Sequence, residues 1–337
     1  MHQKLQQQHL GKKGPLISPM GIGTWAIGGP FYAGAGLGFD QGAALGWGQV
    51  KDRESIDCLR FALDAGVNFF DTADLYGAGH SEVVVGRAFK GIREQVLIAS
   101  KFGNTFDANL KTMTGTDISP SYIIKACEDS LKRLQTDWID LYQVHLEDID
   151  TEQIPLVTEA LEVLCEAGKI RCYGWSTNNI EGNALFCKSD QATALQFDMN
   201  VLHRADHMLS CCELNNCTAI IRQPLAMGLL SGKYVTSKVL SNSDIRKDPP
   251  PWLTYFDKNG ADKTHLKRLA AIKEILTSNG RTITQGALAW IWAKHPNCVP
   301  IPGVRTVAQV KENIAAMDYG ALTQAQLTEI DQLLELV

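Results

Sequence analysis

The stretch WIDLYQVHLEDIDTEQIPLVTEALEVLCEAGKIRCYGWS, residues 138–176, decides the fold. Two short apolar segments, WIDLYQVH (138–145) and IRCYGWS (170–176), flank a longer amphipathic one, IPLVTEALEVLCEAGK (154–169). The middle segment ends at Gly168, a residue suited to the left-handed position after a helix. The reading is strand, helix, strand.

Outward from this unit the same alternation continues both ways. MGIGTW (20–25), VNFFDT (67–72) and QVLIAS (95–100) precede it, and TALQF (193–197), TAIIRQ (218–223) and NCVPIPG (297–303) follow. The intervening patterns are helical. RESIDCLRFALDAG puts Ile56, Leu59 and Leu63 on one stripe and ends at Gly66. SPSYIIKACEDSLKRLQTD opens with Ser119 and Pro120, the favoured cap and first helical residue. TITQGALAWIWAKH starts on a threonine cap, and TVAQVKENIAAM runs to Met317.

Strict alternation argues for a parallel sheet of the α/β class, and eight strand–helix units are the number that closes a (β/α)8 TIM barrel. An open doubly wound sheet usually carries GxGxxG at its first helix. Neither Gly21/Gly23 nor the glycines from Gly28 to Gly48 fit that pattern in a strand–turn–helix context. The 337 residues therefore read as one barrel domain over 1–337, with an N-terminal extension at 1–15. Two connections, 26–51 and 234–262, far exceed the usual loop of about two to six residues. Both follow strands, which puts them on the C-terminal face where barrel sites lie. Their aromatic residues, Phe31, Tyr32, Phe39, Trp47 and Trp252, suit lids or substrate walls.

A net charge of -5 argues against nucleic acid or an anionic membrane as partner. No run approaches the roughly 18 apolar residues of a membrane span, and the opening segment lacks a signal peptide's apolar region. The nine cysteines are scattered, odd in number and without CxxC spacing, which implies reduced thiols and a cytoplasmic location. His203, His207 and Cys211, spaced by four, would share one helical face and could bind a metal. The plainer reading is a polar helix that happens to carry them, and no metal site is expected.

Asp71, Lys101 and His145 end consecutive strands, and Tyr76 follows Asp71 in the loop DTADLYG. A barrel gathers such strand ends at one rim. Each residue alone has a structural explanation, but together they suit proton donation to a carbonyl oxygen. A tyrosine with a pKa of about 10 is protonated at neutral pH and can donate. Lys101 would lower its pKa, Asp71 would fix the ammonium, and neutral His145 would orient the carbonyl. There is no GxSxG nucleophile, so a cofactor must deliver the hydride.

These motifs resemble those of the aldo-keto reductases. GIGTW, DTADLYG followed by GHSE, ASKFG, QVH, GWSTNN, QFDMN, QPLAMGLLSGKY and IPGVRTVAQVKEN run in the order seen in that family, from about Leu16 to Met317. The segment GTWAIGGPF and the PIPGVR ending are similar to the branch holding bacterial general reductases and potassium-channel beta subunits.

The resemblance implies a barrel binding NADP(H) across its C-terminal face, with Asp71, Tyr76, Lys101 and His145 as the catalytic tetrad. It implies that Gly23, Thr24 and Trp25 lie beside the nicotinamide ribose, with Asp71 also near the cofactor. Trp25, Tyr76 and His145 would meet the substrate. Ser176 and Gln196 would hold the carboxamide. The run Pro224, Leu225, Gly228, Leu230, Gly232 and Lys233 would cradle the pyrophosphate, and Gly303, Arg305, Thr306, Gln309, Glu312 and Asn313 the adenosine phosphate.

Three positions depart from the family pattern. Thr177 stands where many relatives have Asn. Arg222 replaces an aromatic ring against the nicotinamide, and its charge should disfavour oxidised nicotinamide and attract an anionic substrate. Gln309 replaces an Arg, leaving Arg305 to grip the 2′-phosphate, so NADPH is preferred and NADH is weaker. The expected function is reversible reduction of an aldehyde, ketone or sugar-like carbonyl. The alternative is a slow, nucleotide-binding redox-sensing subunit. Oligomeric state is not legible in the sequence.

Overall fold

The computed structural model describes residues 5–12, 14–234 and 240–337. Eight strands follow the chain in order: β1 (Ile22–Gly23), β2 (Phe69–Asp71), β3 (Leu97–Phe102), β4 (Ile139–Val144), β5 (Ile170–Ser176), β6 (Ala192–Asp198), β7 (Thr218–Arg222) and β8 (Cys298–Pro300). Each pairs in parallel with its sequence neighbour, and a parallel bridge between Gly23 and Gly303 brings the last back to the first. The result is the expected (β/α)8 barrel. At the closure Gly23 approaches the opposite chain so closely that an added Cβ would lie 2.7 Å from Ile301 O. Glycine is required there.

The helices are α1 (Asp52–Asp64), α2 (His80–Phe89), α3 (Pro120–Leu134), α4 (Ile154–Glu166), α5 (Asn183–Phe186), α6 (Asp206–Asn215), α7 (Lys263–Leu276), α8 (Ile283–Lys294), α9 (Val307–Tyr319) and α10 (Gln324–Glu335). Their starts follow local chemistry. Ser119 accepts the Tyr122 amide with Pro120 next to it, and Thr282, Thr306 and Thr323 each open a capping box with the glutamine three residues on. Helix α9 runs past Met317 to Tyr319 and stops before Gly320, which has φ 67°.

Alternation along each strand makes two cores. Outward residues such as Phe70, Ile98, Tyr142, Trp175, Phe197 and Ile221 pack under the helices in the large core. Inward residues Phe69, Ala99, Leu141, Cys172, Ala194, Ile220 and Val299 form a small apolar layer inside the barrel. Leu10 and Ile17, both fully buried, close it from below. Both belong to an antiparallel hairpin pairing Gln8–His9 with Leu16–Ile17: Leu10 follows its first strand and Ile17 ends its second. Residues 1–4 and 13 of the N-terminal extension lie outside the described residues; the rest of it plugs the barrel floor.

The long loops have their own structure on the opposite face. In 26–51, Tyr32–Ala33 pairs with Thr112–Thr116, which belongs to a hairpin with Asn104–Asp107. That hairpin, after β3, is absent from the sequence reading. Part of 234–262 (235–239) lies outside the described residues. The remainder is stitched to the first loop by Ile245 N donating to Gly46 O at 2.8 Å and by a bridge between Trp47 and Asp244. Arg246 locks the junction: it pairs with Asp244, donates to Tyr234 Oη at 2.6 Å and sits 4.6 Å from the Trp47 ring.

Helix α6 begins at Asp206, so His203 precedes it and bonds through its backbone with Asn200. Residues spaced by four share a face only within a continuous helix. His203, His207 and Cys211 therefore do not share one helical face.

Candidate active site

Two residues above the apolar layer, the inward position turns polar on five of these strands. Phe69 gives way to Asp71, Ala99 to Lys101, Leu141 to Gln143, Ala194 to Gln196 and Ile220 to Arg222. Pairing register sets these side by side, with Lys101 opposite Gln143 and Ser176 opposite Gln196. Asp71, Lys101, Gln143, Ser176 and Gln196 are all buried.

Asp71 is the hub. Its carboxylate accepts from Lys101 Nζ at 2.5 Å, Gln196 Nε2 at 2.8 Å and Gln143 Nε2 at 3.2 Å. Lys101 Nζ also donates to Thr72 O at 2.8 Å and to Tyr76 Oη at 3.4 Å. Desolvation would lower the Lys101 pKa, but Asp71 and Tyr76 outweigh it and hold the pKa above its ordinary value. The ammonium is therefore charged and aimed at the phenol.

Burial raises the Tyr76 pKa and Asp71 adds to the rise; Lys101 opposes both without cancelling them. The expectation of a lowered Tyr76 pKa is thus corrected: in the protein alone burial outweighs the ammonium, and the phenol is firmly protonated. His145 stands edge-on to Tyr76 at 5.8 Å between ring centroids. Burial, then Lys101 and Arg222, push its pKa well below the usual 6.5, so the ring is neutral. Its Nδ1 is buried and has no partner among the described residues.

The Tyr76 loop is held by close packing. Gly77, at φ 64°, lies against Gly28 so tightly that a Cβ on it would overlap Gly28 O. Trp25 stacks on Tyr76 at 5.8 Å and meets Trp47 edge-on at 5.4 Å, with Trp252 at 6.4 Å. Trp25 Nε1 donates to Leu45 O at 3.0 Å, tying this aromatic wall to the 26–51 loop.

Other expected positions fall as follows. Arg222 donates to Asp198 at 2.9 Å, Ser176 Oγ at 3.0 Å and Glu147 at 3.1 Å. The guanidinium stays charged but is paired with two carboxylates, which reduces the pull it was expected to exert on an anionic substrate. Thr24 turns its hydroxyl inward, to Asp71 O at 2.9 Å and Ser81 Oγ at 2.8 Å. Thr177 spends its hydroxyl on Glu147 O at 2.6 Å. Gln309 uses its side-chain oxygen to accept from the Arg305 and Thr306 amides, completing a helix cap. Arg305 donates to Trp47 O at 3.0 Å and to Gln49 O. Gly303 faces Gly23 across the barrel seam, Asn313 is buried, and Glu312 is half-buried, its carbonyl accepting from Gln285 at 3.2 Å.

From Pro224 to Lys233 the chain forms a tight turn. Ala226, Met227, Gly228 and Gly232 have positive φ, Leu225 and Leu230 join through their backbone, and Lys233 is exposed. Within it the amides of Ala226, Gly228, Leu230 and Gly232 donate to backbone carbonyls of the turn or just before it.

Gln143 is the functional position the sequence reading passes over. It shares strand parity with His145 in QVH, which was signal enough. Glu147 and Asp198 carry no such mark, since only the fold brings them to Arg222.

The buried chain from Asp71 through Lys101 to Tyr76 thus lies at the C-terminal mouth of the barrel. The chain belongs to the aldo/keto reductase family, whose model matches residues 19–335. It is 33% identical over 320 residues to yakc, an NADP(+) aldo-keto reductase of Schizosaccharomyces pombe, covering 92% of this chain and 91% of that protein. It is 31% identical over 323 residues to the aldo-keto reductase YhdN of Bacillus subtilis, covering 94% and 90%. The structure is similar to the glycerol dehydrogenase AKR11B4 from Gluconobacter oxydans, with TM-score 0.79, 27% identity, and 99% and 95% coverage. It is also similar to the aldo-keto reductase AKR11C1 from Bacillus halodurans, with TM-score 0.75, 26% identity, and 98% and 96% coverage. Among the described residues no helix is long and apolar enough to cross a membrane.

Proposed function

We propose that this protein reduces an aldehyde or ketone to an alcohol with NADPH, Tyr76 donating the proton. The observation that carries the reading is the chain from Asp71 through Lys101 Nζ to Tyr76 Oη, with separations of 2.5 and 3.4 Å. Lys101 stabilises the phenolate left when the proton departs, and Asp71 keeps the ammonium in place. Neutral His145 sits beside the phenol, able to hydrogen-bond the carbonyl oxygen and fix its orientation.

The polar layer fits a dinucleotide. Ser176 and Gln196 stand opposite each other in that layer for a carboxamide, and Lys233 is exposed at the end of the 224–233 turn for a pyrophosphate. Arg305 would reach the 2′-phosphate: two carbonyls anchor it, and a guanidinium has five N–H donors. The NADP(+) in the name of the yeast relative supports the phosphorylated form. When bound, NADPH supplies the hydride; Trp25 with Trp47 and Trp252 walls the substrate and excludes water. The glycerol dehydrogenase activity named for the Gluconobacter neighbour supports operation as an alcohol dehydrogenase when oxidised cofactor is in excess. The nine cysteines all stand as free thiols, which supports a cytoplasmic setting, and the whole chain is read as one domain.

The test is a tryptophan-fluorescence titration with NADPH and NADH, followed by turnover on aldehydes, aldoses, pyridoxal and quinone-type or steroid-like ketones. Quenching by NADPH, with oxidation of the cofactor by one of these carbonyls, is the expected outcome. Tight binding without turnover on any carbonyl would favour the nucleotide-sensing alternative.

A further inference from the structure

Four of the cysteines, Cys187, Cys211, Cys212 and Cys217, gather in one place. Cys187 follows α5, its amide donating to Asn183 O at 2.8 Å. Cys217 precedes β7, its amide donating to Cys212 O at 2.9 Å. Their sulfurs are 3.6 Å apart. Cys217 is buried and Cys187 half-buried, and both are free thiols. Cys211 and Cys212 lie close enough to act on both electrostatically. All of this is at the N-terminal end of β7, while the proposed site is at the other end of the barrel.

We propose that Cys187 and Cys217 are a dithiol modification site, converted by hydrogen peroxide to a disulfide. The sulfurs are already in contact and must close from 3.6 Å to about 2 Å. The contact between the sulfurs lets one thiol hydrogen-bond the thiolate of the other, and either sulfur can take the part of the first thiolate, here Cys217. The Cys217 thiolate attacks peroxide, the O–O bond breaks, and one oxygen leaves as water to give a sulfenic acid. Cys187 then loses its proton and attacks that sulfur; the S–O bond breaks and a second water leaves. Two thiols are oxidised and one peroxide is reduced. The half-buried Cys187 is the entry point for a reductant that reverses the bond.

The experiment treats the full chain with hydrogen peroxide, alkylates the remaining thiols, and reads intact mass and linked peptides. The expected result is loss of two alkylatable thiols, a mass lower by two hydrogens, and one linked pair containing Cys187 and Cys217. A dithiol reductant should restore the original state. Cys211→Ser should keep the link, and Cys187→Ser should leave a sulfenic acid on Cys217 that a dione reagent traps. Links through Cys211 or Cys212, sulfinic acid without a link, or nine alkylatable thiols after treatment would overturn the proposal. Peptide mapping of the unmodified sequence decides the matter even if a serine variant folds poorly.

Discussion

Two layers inside the same barrel, one pleat apart, obey opposite rules. The lower, with Phe69, Ala99, Leu141, Cys172, Ala194, Ile220 and Val299, is apolar and stabilises the fold by excluding water. The upper, with Asp71, Lys101, Gln143, Gln196 and Arg222, buries charges and amides that must satisfy one another. A buried ion pair is weak support for stability, because desolvation offsets its attraction. The strands therefore carry stability at one height and proposed chemistry at the next.

The largest test of that contrast exchanges the rules. Lys101→Met should cut turnover about a thousandfold and destabilise the fold by about 3–5 kcal/mol, because buried Asp71 loses its ion-pair partner. Adding Asp71→Leu should return stability to the parent level or above while activity stays absent. Chemical denaturation and steady-state assays of both variants check this; a double variant no more stable than the single one would break the comparison.

Next comes the lower layer. Leu141→Ala should cost about 2–5 kcal/mol yet leave kcat and KM unchanged at temperatures where the variant is folded. Changed kinetics would mean the layers are mechanically coupled. Smaller again is Arg305→Ala, expected to weaken NADPH about tenfold and NADH hardly at all. Equal losses in a binding titration would place the phosphate grip elsewhere.

The smallest effect lies in the pH profile of reduction. His145 has its pKa pushed well below 6.5, so it stays neutral and no acid limb should appear near that value. Tyr76 has its pKa raised from 10.0, so its donor form persists below that pH, and the rate should fall only on the alkaline side. A limb at the ordinary histidine value would show that His145 takes up a proton during turnover.

Much of this was legible in the sequence because short apolar runs alternate with longer amphipathic segments. That alternation marks all eight strands and puts Asp71, Lys101 and His145 at their ends. Gln143 was open to the same reasoning. The hidden parts depend on contacts between distant segments. The Asn104–Thr116 hairpin stands by pairing with Tyr32–Ala33. Arg222 is paired with Asp198 and Glu147, which only the fold brings to it. Gln309 looks like a ligand by position, but three residues after a threonine cap it completes a capping box.

Comparing Tyr76→Phe with the parent in a single assay tests the centre of this account most directly. Each protein is titrated with NADPH and then given a carbonyl substrate that the parent reduces. NADPH should bind both alike, while reduction falls by about three orders of magnitude in the variant. Reduction at the parent rate without the phenol would contradict the account.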